Sequence, residues 1–452
     1  VPPALRKEGY KGVDSLPHLQ KHLGHPQAGG GPARVLLVDA REWAHRLVGY
    51  LRAIPEVSRA EVVGSIRRWV ETVGDVNLLA ASEHPEEVVT AFADNPALGR
   101  VVGRDHRSCQ ARLTNGMAVT LTVEAPGQFA AAFVLSTGSR AHGARLEARA
   151  RSRGLDLAHL GLAEEAAVYA ALDLPEIPPE LREDAGEIEA AEAGDSFDDL
   201  LTRDDIRGMV HCHTVYSDGH GTVAEMAEAA RKMGMEYITI TDHSPTASYA
   251  GGLRRDQLPP QWSEIAEAQS RLGIRVLRGT ESDILGDGSL DYPDEVLGAL
   301  EVVIASIHDR LRMDSDSMTA RLVAAMRQPV FKIWGHALGR LLLKRDPIAC
   351  DLEKVLDAIA ESRAAIELNG SPHRMDLPVE GIRAARSRGI KFVVSTDAHS
   401  TAELANLTFA VALARRAGVR RNEVLNTLPA DEFAERVRPT PTSPGTAPFM
   451  LP

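Results

Sequence analysis

The stretch GMVHCHTVYSDGHGTVAEMAEAARKMGMEYITITDH (208–243) contains one complete strand–helix–strand unit. Its ends, GMVHCH (208–213) and EYITITDH (236–243), are short runs rich in β-branched and apolar residues. Between them VAEMAEAARKMG (223–234) spaces its apolar residues three and four apart, as a helix with one buried face does. The alternation continues through IRVLRGTES (274–282), VVIASIH (302–308), FKIWGH (331–336), AAIELN (364–369) and IKFVVSTDAH (390–399), with LEKVLDAIAES (352–362) among the helical segments. Seven such units predict an α/β parallel barrel, close to a TIM barrel with one unit missing. A doubly wound open sheet is the alternative, but no Gly-rich nucleotide fingerprint follows any of these strands.

The polar residues at the strand ends carry the chemistry. Barrel strands deliver their C-terminal ends to one face, so side chains placed there converge. His211 and His213 stand two apart and point to one face, with Cys212 turned the other way into the core. Asp397 and His399 repeat that spacing on the last strand. Asp218 follows the first strand, His243 ends the second, Glu281 the third, and His308 and His336 the fourth and fifth. A lone histidine at a strand end is more often a hydrogen-bonded structural residue. Six imidazoles and three carboxylates on one rim would leave buried polar groups unsatisfied unless cations lie between them. Mixed nitrogen and oxygen donors suit Zn²⁺, Mn²⁺ or Fe²⁺ rather than Ca²⁺ or a thiolate-bound zinc. Nine ligands are enough for two or three ions if one carboxylate bridges.

The whole chain has 452 residues, 44% hydrophobic and 25% charged, which excludes a disordered or collagen-like protein and predicts two or three domains. No apolar run reaches the roughly 18 residues of a membrane span, and VPPALRKEGYK lacks the apolar core of a secretory signal. The sequence begins at Val1 without an initiating Met, which leaves open whether residues precede it. Three dispersed cysteines (Cys109, Cys212, Cys350) make no disulfide framework and fit a reducing cytoplasm. The net charge of −12, taken whole, argues against nucleic acid as a partner. Its distribution does not. Residues 1–160 carry 20 basic and 16 acidic side chains, 161–205 carry 2 and 15, and 206–452 carry 29 and 32. The acidic block, interrupted by Pro178–Pro179, reads as an interdomain linker with short helical pieces; the alternative is a segment that covers a basic surface. HPQAGGGPAR (25–34) reads as a hinge and RPTPTSPGTAPFMLP (438–452) as an unfolded tail.

Several of these runs together resemble a known family. HCHTVYSDG, TDHS, GTESDILGDGSLDYPDEVL, ASIH, GHALGRLL, ELN and STDAHS are similar to the polymerase and histidinol phosphatase (PHP) domain, in the form fused to bacterial family X DNA polymerases. The resemblance covers about 206–436 and implies a distorted (β/α)7 TIM-like barrel holding three divalent ions. It implies His211, His213, Glu281 and Asp397 around one ion. Glu281 would be shared with a second ion, held also by His308 and His336, and Asp218, His243 and His399 would take the third. All nine positions match the family pattern. Two or three ions are therefore expected, Mn²⁺ or Zn²⁺, with Fe²⁺ as a further candidate; they would activate water and offset charge on phosphoryl oxygens. Glu281, Asp397 and His308 are the ligands on which catalysis is expected to depend most. Arg340, Arg345 and Arg374 are candidates to hold substrate phosphates, the bland reading being solvated or locally paired arginines. Asp376 is a candidate partner for Arg374 under either reading.

The N-terminal half reads as an α+β unit: a helix at 39–54, strands at 60–65, 74–81, 107–113 and 117–124, and a helix near 85–94. GSIRR (64–68), GDVNLL (74–79), STGSRAH (136–142) and LPEIPPELREDAGEIEAA (174–191) resemble the palm, thumb and connecting landmarks of family X polymerases. That resemblance implies a triphosphate site at Gly64, Ser65 and Arg68, and a nucleotide-lining turn at Thr137, Gly138 and Ser139. Two-metal nucleotidyl transfer needs several carboxylates. The paired acids of the family are here Asp75 and Asn77, and the third position is Thr120. Glu124 shares its face but lies roughly 13 Å along the strand. The aromatic pair expected before the turn is Leu135–Ser136. One carboxylate of three remains, so polymerase activity is not expected. The hairpins that grip DNA would lie before residue 39, where GYKGVDSLPHLQKHLG (9–24) preserves at most a fragment.

The domain expectation is a hairpin remnant and hinge (1–38), a degenerate palm and thumb (39–160), a linker (161–205), the PHP domain (206–436) and a tail (437–452). The expected function is metal-dependent phosphoester hydrolysis at DNA 3′ ends in repair, as a cytoplasmic 3′→5′ exonuclease or 3′-phosphatase. DNA is expected as a weak partner through the N-terminal module, and no membrane is involved. Lysine is only 8 of the 51 basic residues and aromatics are 4% of the chain, which weakens any strong single-strand platform. Alternatives are a gap-filling polymerase, a histidinol-phosphate-type phosphatase and a non-catalytic DNA-binding scaffold.

Overall fold

The structure is a computed structural model that describes residues 34–439. The proposed hairpin fragment and all but a few residues of the expected hinge and tail lie outside the described residues. The chain divides into two compact units at Asp198/Asp199. Among the described residues no helix is long and apolar enough to cross a membrane.

In the first unit a short pair, β1 (Val35–Leu36) and β3 (Thr72–Val73), stands beside a five-stranded sheet. That sheet is built from β2 (Arg59–Val63), β4 (Asp75–Ala81), β5 (Leu98–Arg104), β6 (Ser108–Leu113) and β7 (Ala118–Glu124) in the order β2-β4-β7-β6-β5. Only β4 and β7 run parallel. β7 buries Val119, Leu121 and Val123 on one face, the period-2 alternation its sequence predicts. β5 was not anticipated. Gly99–Arg104 are exposed, so no alternation marks them as a strand, and pairing to β6 with two irregularities in register makes the element.

Through Asp198 the acidic block falls within the first compact unit. It contains the helices Glu165–Ala171 and Glu187–Glu192. Its carboxylates face arginines of the preceding residues: Glu183 on Arg68 at 2.9 Å, Asp184 on Arg145 at 3.0 Å and Asp173 on Arg153 at 3.2 Å. Deeper in, Arg182 has no exposed surface and shares Glu165 with Arg67. Glu187 accepts from the buried His142 ring at 2.6 Å. The block is acidic because it neutralises the arginines of its own unit, and these buried pairs make it part of the fold rather than a removable cover.

In the second unit seven strands, β8 (Gly208–Cys212), β9 (Tyr237–Ile240), β10 (Arg275–Asp283), β11 (Val302–Ser306), β12 (Lys332–Trp334), β13 (Ala364–Asn369) and β14 (Phe392–Ser395), lie side by side in chain order. Every neighbouring pair is parallel. The last strand returns to the first: the His213 amide donates to the Ala398 carbonyl at 2.9 Å and the Ala398 amide to the His211 carbonyl at 3.1 Å. A doubly wound sheet would reverse strand order and keep two open edges. This one does neither, and it forms a nearly closed seven-stranded barrel. Inside it Val210, Leu277, Ile304, Ile333 and Val393 form a buried cluster. The helix Ala430–Val437 contributes to this cluster, Phe433 stacking on Tyr237 at 4.9 Å between ring centroids.

The strands end earlier than their apolar runs suggest, so His213, His243, His308, His336, Asp397 and His399 all lie just beyond the ladders. His211, His336 and Asp397 take positive φ values of 63°, 22° and 50°. Such a backbone costs non-glycine residues roughly 1–3 kcal/mol each and collects at functional sites. At His211 it accompanies a register shift in β8, so strand alternation alone does not aim this ring.

Candidate metal centre

Four ligand atoms meet at the centre of the rim. Nε2 of His211 lies 3.3 Å from Glu281 Oε2 and 3.6 Å from Asp397 Oδ1. Nε2 of His213 lies 3.6 and 3.5 Å from the same two oxygens. The other Glu281 oxygen, Oε1, faces His308 Nε2 at 3.3 Å and His336 Nε2 at 2.9 Å. Those two imidazole nitrogens are 3.3 Å apart. A third group surrounds Asp218, whose Oδ2 is 3.5 Å from His243 Nε2 and whose Oδ1 is 3.4 Å from His399 Nε2. His213 turns its second nitrogen, Nδ1, toward Asp218 Oδ1 at 3.6 Å. The structure thus brings together all nine residues singled out from the sequence.

Apart from the 2.9 Å between His336 and Glu281, these distances are long for hydrogen bonds and natural for atoms sharing an ion, since donors about 2.0–2.2 Å from one cation sit about 3–3.5 Å from each other. His211 Nε2, both nitrogens of His213, His243 Nδ1, Glu281 Oε1 and His336 Nδ1 are buried without a hydrogen-bond partner. Orphaned donors and acceptors at such density are expensive unless a cation satisfies them. Thiolates are absent from these groups, and Cys212 is buried beside Thr396. The donor set therefore fits divalent ions held by nitrogen and oxygen.

Electrostatics within the protein are strong. Burial opposes charge on His211, but Glu367, Glu281 and Asp397 outweigh it and raise the imidazole well above its ordinary value. Despite burial, Glu281 and Asp397 are held far below the usual carboxylate range, Glu281 chiefly by His211, His308 and His243 and Asp397 chiefly by His211. Burial, against weaker help from Asp397, pushes His213 down to about 4, so this ring is a neutral donor.

Three carboxylates behind the ligands had no assigned role in the sequence reading. Glu367 accepts from His211 Nδ1 at 2.5 Å, while its other oxygen takes the His336 amide and the Asn369 side chain. Asp283 holds His308 Nδ1 at 2.5 Å. Asp242 gathers Thr214, Ser217 and Gln261 and so fixes the loop that carries Asp218. Glu367 and Asp283 were inside recognised runs, ELN and GTESD, and Asp283 shares a strand face with Glu281, two residues away. Partners of this kind set the tautomer and direction of a ligating histidine. Glu367→Gln offers one acceptor oxygen where two are used, so either His211 or the His336 amide loses its partner. The expected outcome is a 10- to 100-fold weaker affinity for Mn²⁺, read by chelator competition; unchanged affinity would remove Glu367 from the site.

The three arginines separate. Arg374 approaches the centre, its Nε 3.4 Å from Asp397 Oδ2, with Nη1 buried and unpartnered. Arg340 is mostly committed to backbone carbonyls, those of Arg374 at 2.9 Å and Met375. Arg345 donates twice to the Gly339 carbonyl. Asp376 accepts the Leu338 and Arg340 amides through Oδ2 and also feels the charges of Arg340 and Arg374.

In the first unit, Asp75 and Asn77 stand two apart on β4, and Asn77 lies opposite Thr120 on β7. The three positions that the resemblance assigns to nucleotidyl transfer are therefore adjacent, with one carboxylate among them. Gly64 turns the chain there at φ 69°, and an added Cβ would meet Asn77 Nδ2 at 3.3 Å. Ser65 follows in the helix Gly64–Arg67. Arg68 donates to the Thr137 carbonyl at 2.8 Å and to Glu183 at 2.9 Å. Gly138 packs on His142, and Ser139 caps the helix Arg140–Ser152 by accepting the His142 amide. Glu124 pairs with Arg107 at 3.1 Å, away from this group.

Comparison with known proteins follows the same division. The PHP domain family matches residues 210–371 and the DNA polymerase beta thumb family matches residues 132–183. The DNA polymerase/3′-5′ exonuclease PolX of Bacillus subtilis (strain 168) is 32% identical over 414 residues, which cover 88% of this chain and 72% of that protein. The chain belongs to the PolX family. It joins a PHP phosphoesterase domain to a family X polymerase core. The thumb match extends into the acidic block, as the fold of the first unit does. Other relatives match about half of this chain. A probable phosphatase of Thermoanaerobacter sp. (strain X514) is 32% identical over 238 residues, 48% of this chain and 89% of its own length. A probable phosphatase of Acetivibrio thermocellus is 29% identical over 248 residues, 50% and 93% of the two chains.

Proposed function

We propose that this protein is a divalent-metal-dependent phosphoesterase acting on DNA 3′ ends, as a 3′→5′ exonuclease or 3′-phosphatase, in cytoplasmic DNA repair. The reading rests on one observation above others: nine imidazole and carboxylate residues converge on the C-terminal rim of the barrel in three groups linked by Glu281 and His213. His211, His213, Glu281 and Asp397 would hold one ion, Glu281 with His308 and His336 a second, and Asp218, His243 and His399 a third. Mn²⁺ or Zn²⁺, or else Fe²⁺, fits these donors. Such ions supply a nucleophile from water at neutral pH and offset negative charge on a phosphoryl group. Glu281 spans two groups and fixes their separation. Arg374, with an unpartnered Nη1 beside Asp397, is placed to take a phosphate oxygen and so orient the ester. Arg340 positions the backbone around it, and Arg345 is a weaker candidate for substrate.

The polymerase core is proposed to be inactive in synthesis. With Asn77 and Thr120 beside Asp75, two of three Mg²⁺-binding carboxylates are missing. Arg68, expected on a triphosphate, is engaged by Glu183. DNA contact through this module is proposed to be weak and salt-sensitive, since acids of its own unit neutralise many of its arginines. A small-molecule phosphatase is the second reading, because relatives named probable phosphatases align over most of their own length with about half of this chain.

The test uses purified protein with Mn²⁺, a labelled primer–template and deoxynucleotides, beside His308→Ala. Primer shortening that the variant loses is the expected result. Primer extension would overturn the inactive polymerase. No action on DNA, with phosphate released from histidinol phosphate, would transfer the assignment to the second reading.

A further inference from the structure

Among the described residues five large hydrophobic side chains are exposed: Val101, Val102, Val215, Tyr249 and Leu343. The first two belong to β5. The other three sit on loops following β8, β9 and β12, the same loops or rim that carry the ligands. Tyr249 is the most exposed of the five, at 70%, and the one aromatic among them. Its ring centroid lies 6.2 Å from both the His243 and the His308 rings, inclined to them by 57° and 69°.

The loop presenting this ring is firmly held. Thr246 gives its amide and hydroxyl to Asp291, each at 2.7 Å. Ala250 and Gly252 both donate to the Ala247 carbonyl, and Leu253 donates to the His243 carbonyl. The Leu253 carbonyl accepts the Tyr292 hydroxyl at 2.5 Å. Gly252 admits no side chain, because a Cβ there would sit 1.9 Å from the Ser244 carbonyl oxygen. Ala247, Ala250 and Leu253 are buried while Tyr249 between them points out. The fold has therefore anchored every neighbour and left an aromatic face in water, at the edge of the ligand cluster.

We propose that Tyr249 stacks on the terminal nucleobase of the substrate and makes the barrel site select nucleotides over base-free phosphate esters. This deepens the DNA 3′-end reading and rests on it for the identity of the polymer. Aromatic stacking tolerates any base, which suits a site that must act on successive ends, and is worth roughly tenfold or more in affinity per base. Arg374, 3.4 Å from Asp397 and with Nη1 unpartnered, is the cation nearest the cluster for the phosphate of such a nucleotide.

The experiment compares the Mn²⁺-loaded full chain with Tyr249→Ala and Tyr249→Phe. Calorimetric binding of thymidine 5′-monophosphate and of deoxyribose 5-phosphate measures base recognition without requiring turnover. Melting temperature and bound Mn²⁺ verify that each variant is folded and loaded. The wild type should bind the nucleotide about tenfold or more tightly than the base-free sugar phosphate; Tyr249→Phe should keep that ratio and Tyr249→Ala should lose it. Equal binding of the two ligands by the wild type, or a ratio unchanged in Tyr249→Ala, overturns the proposal. So does a ratio lost in Tyr249→Phe, which would assign the role to the hydroxyl. A parallel assay of oligonucleotide shortening separates the two readings: an intact ratio with no shortening sinks the 3′-end activity and leaves the base platform standing.

Discussion

Glu281→Gln is expected to lower phosphoester hydrolysis by roughly 10²–10³-fold or more and to release at least one ion per chain. Glu281 is 1% exposed, and its two oxygens lie 2.9–3.6 Å from nitrogens of His336, His243, His211, His308 and His213. No other carboxylate on the rim touches five imidazoles. Glutamine keeps the volume, so the barrel should fold. It removes the one negative charge that reaches imidazoles of all three groups and turns N–H donors toward nitrogens that need a cation. Steady-state hydrolysis in Mn²⁺ together with metal content by atomic absorption checks it. A variant with full metal content and full activity would show that the rim does not work as a linked cluster.

The second large effect lies in the first unit. Glu165→Ala is expected to destabilise it by roughly 3–5 kcal/mol, because Arg182 would be left wholly buried without its closest anion. Arg67, which donates two hydrogen bonds to Glu165, would lose its main partner as well. The melting transition of that unit should fall by about 6 °C or more. Burial by itself would raise the Glu165 carboxyl, but the Arg67 hydrogen bond and the Arg182 and Arg67 charges hold it below its ordinary 4.5. The sign follows. The stabilisation is complete above about pH 4.5, where the unfolded chain is also ionised, and is lost as pH falls through the lowered folded value. The wild-type transition should therefore drop on acidification below pH 4.5, and Glu165→Ala should depend less on pH there. A melt unchanged by the substitution would mean that the buried arginine is satisfied without Glu165.

Much of the barrel was legible because its signals are local. Apolar runs such as YITI and VVIAS alternate with amphipathic helices, and those periods survive whatever the rest of the chain does. The nine rim residues were legible for the same reason: a barrel sends every strand end to one face. β5 was missed because Gly99–Arg104 lie exposed, without buried partners to impose alternation. The ion pairs of the acidic block were not legible because charge composition alone does not tell a solvated linker from a segment whose acids meet arginines. Glu165 and Arg182 are separated by solvent in one case and by 2.5 Å in the other.

The sequence by itself determined the strand–helix period, the residue types at the strand ends, and the loss of carboxylates at Asn77 and Thr120. Tertiary structure decided the rest. It set the left-handed backbone at His211, His336 and Asp397 and the placement of Glu367 behind His211, 156 residues away in the chain. It also left Tyr249 exposed over the cluster while its neighbours were buried. The physical reason is common to these cases: periodicity reports which face of an element is apolar, whereas the role of a charged or aromatic side chain depends on groups that only the closed barrel brings within a few ångströms.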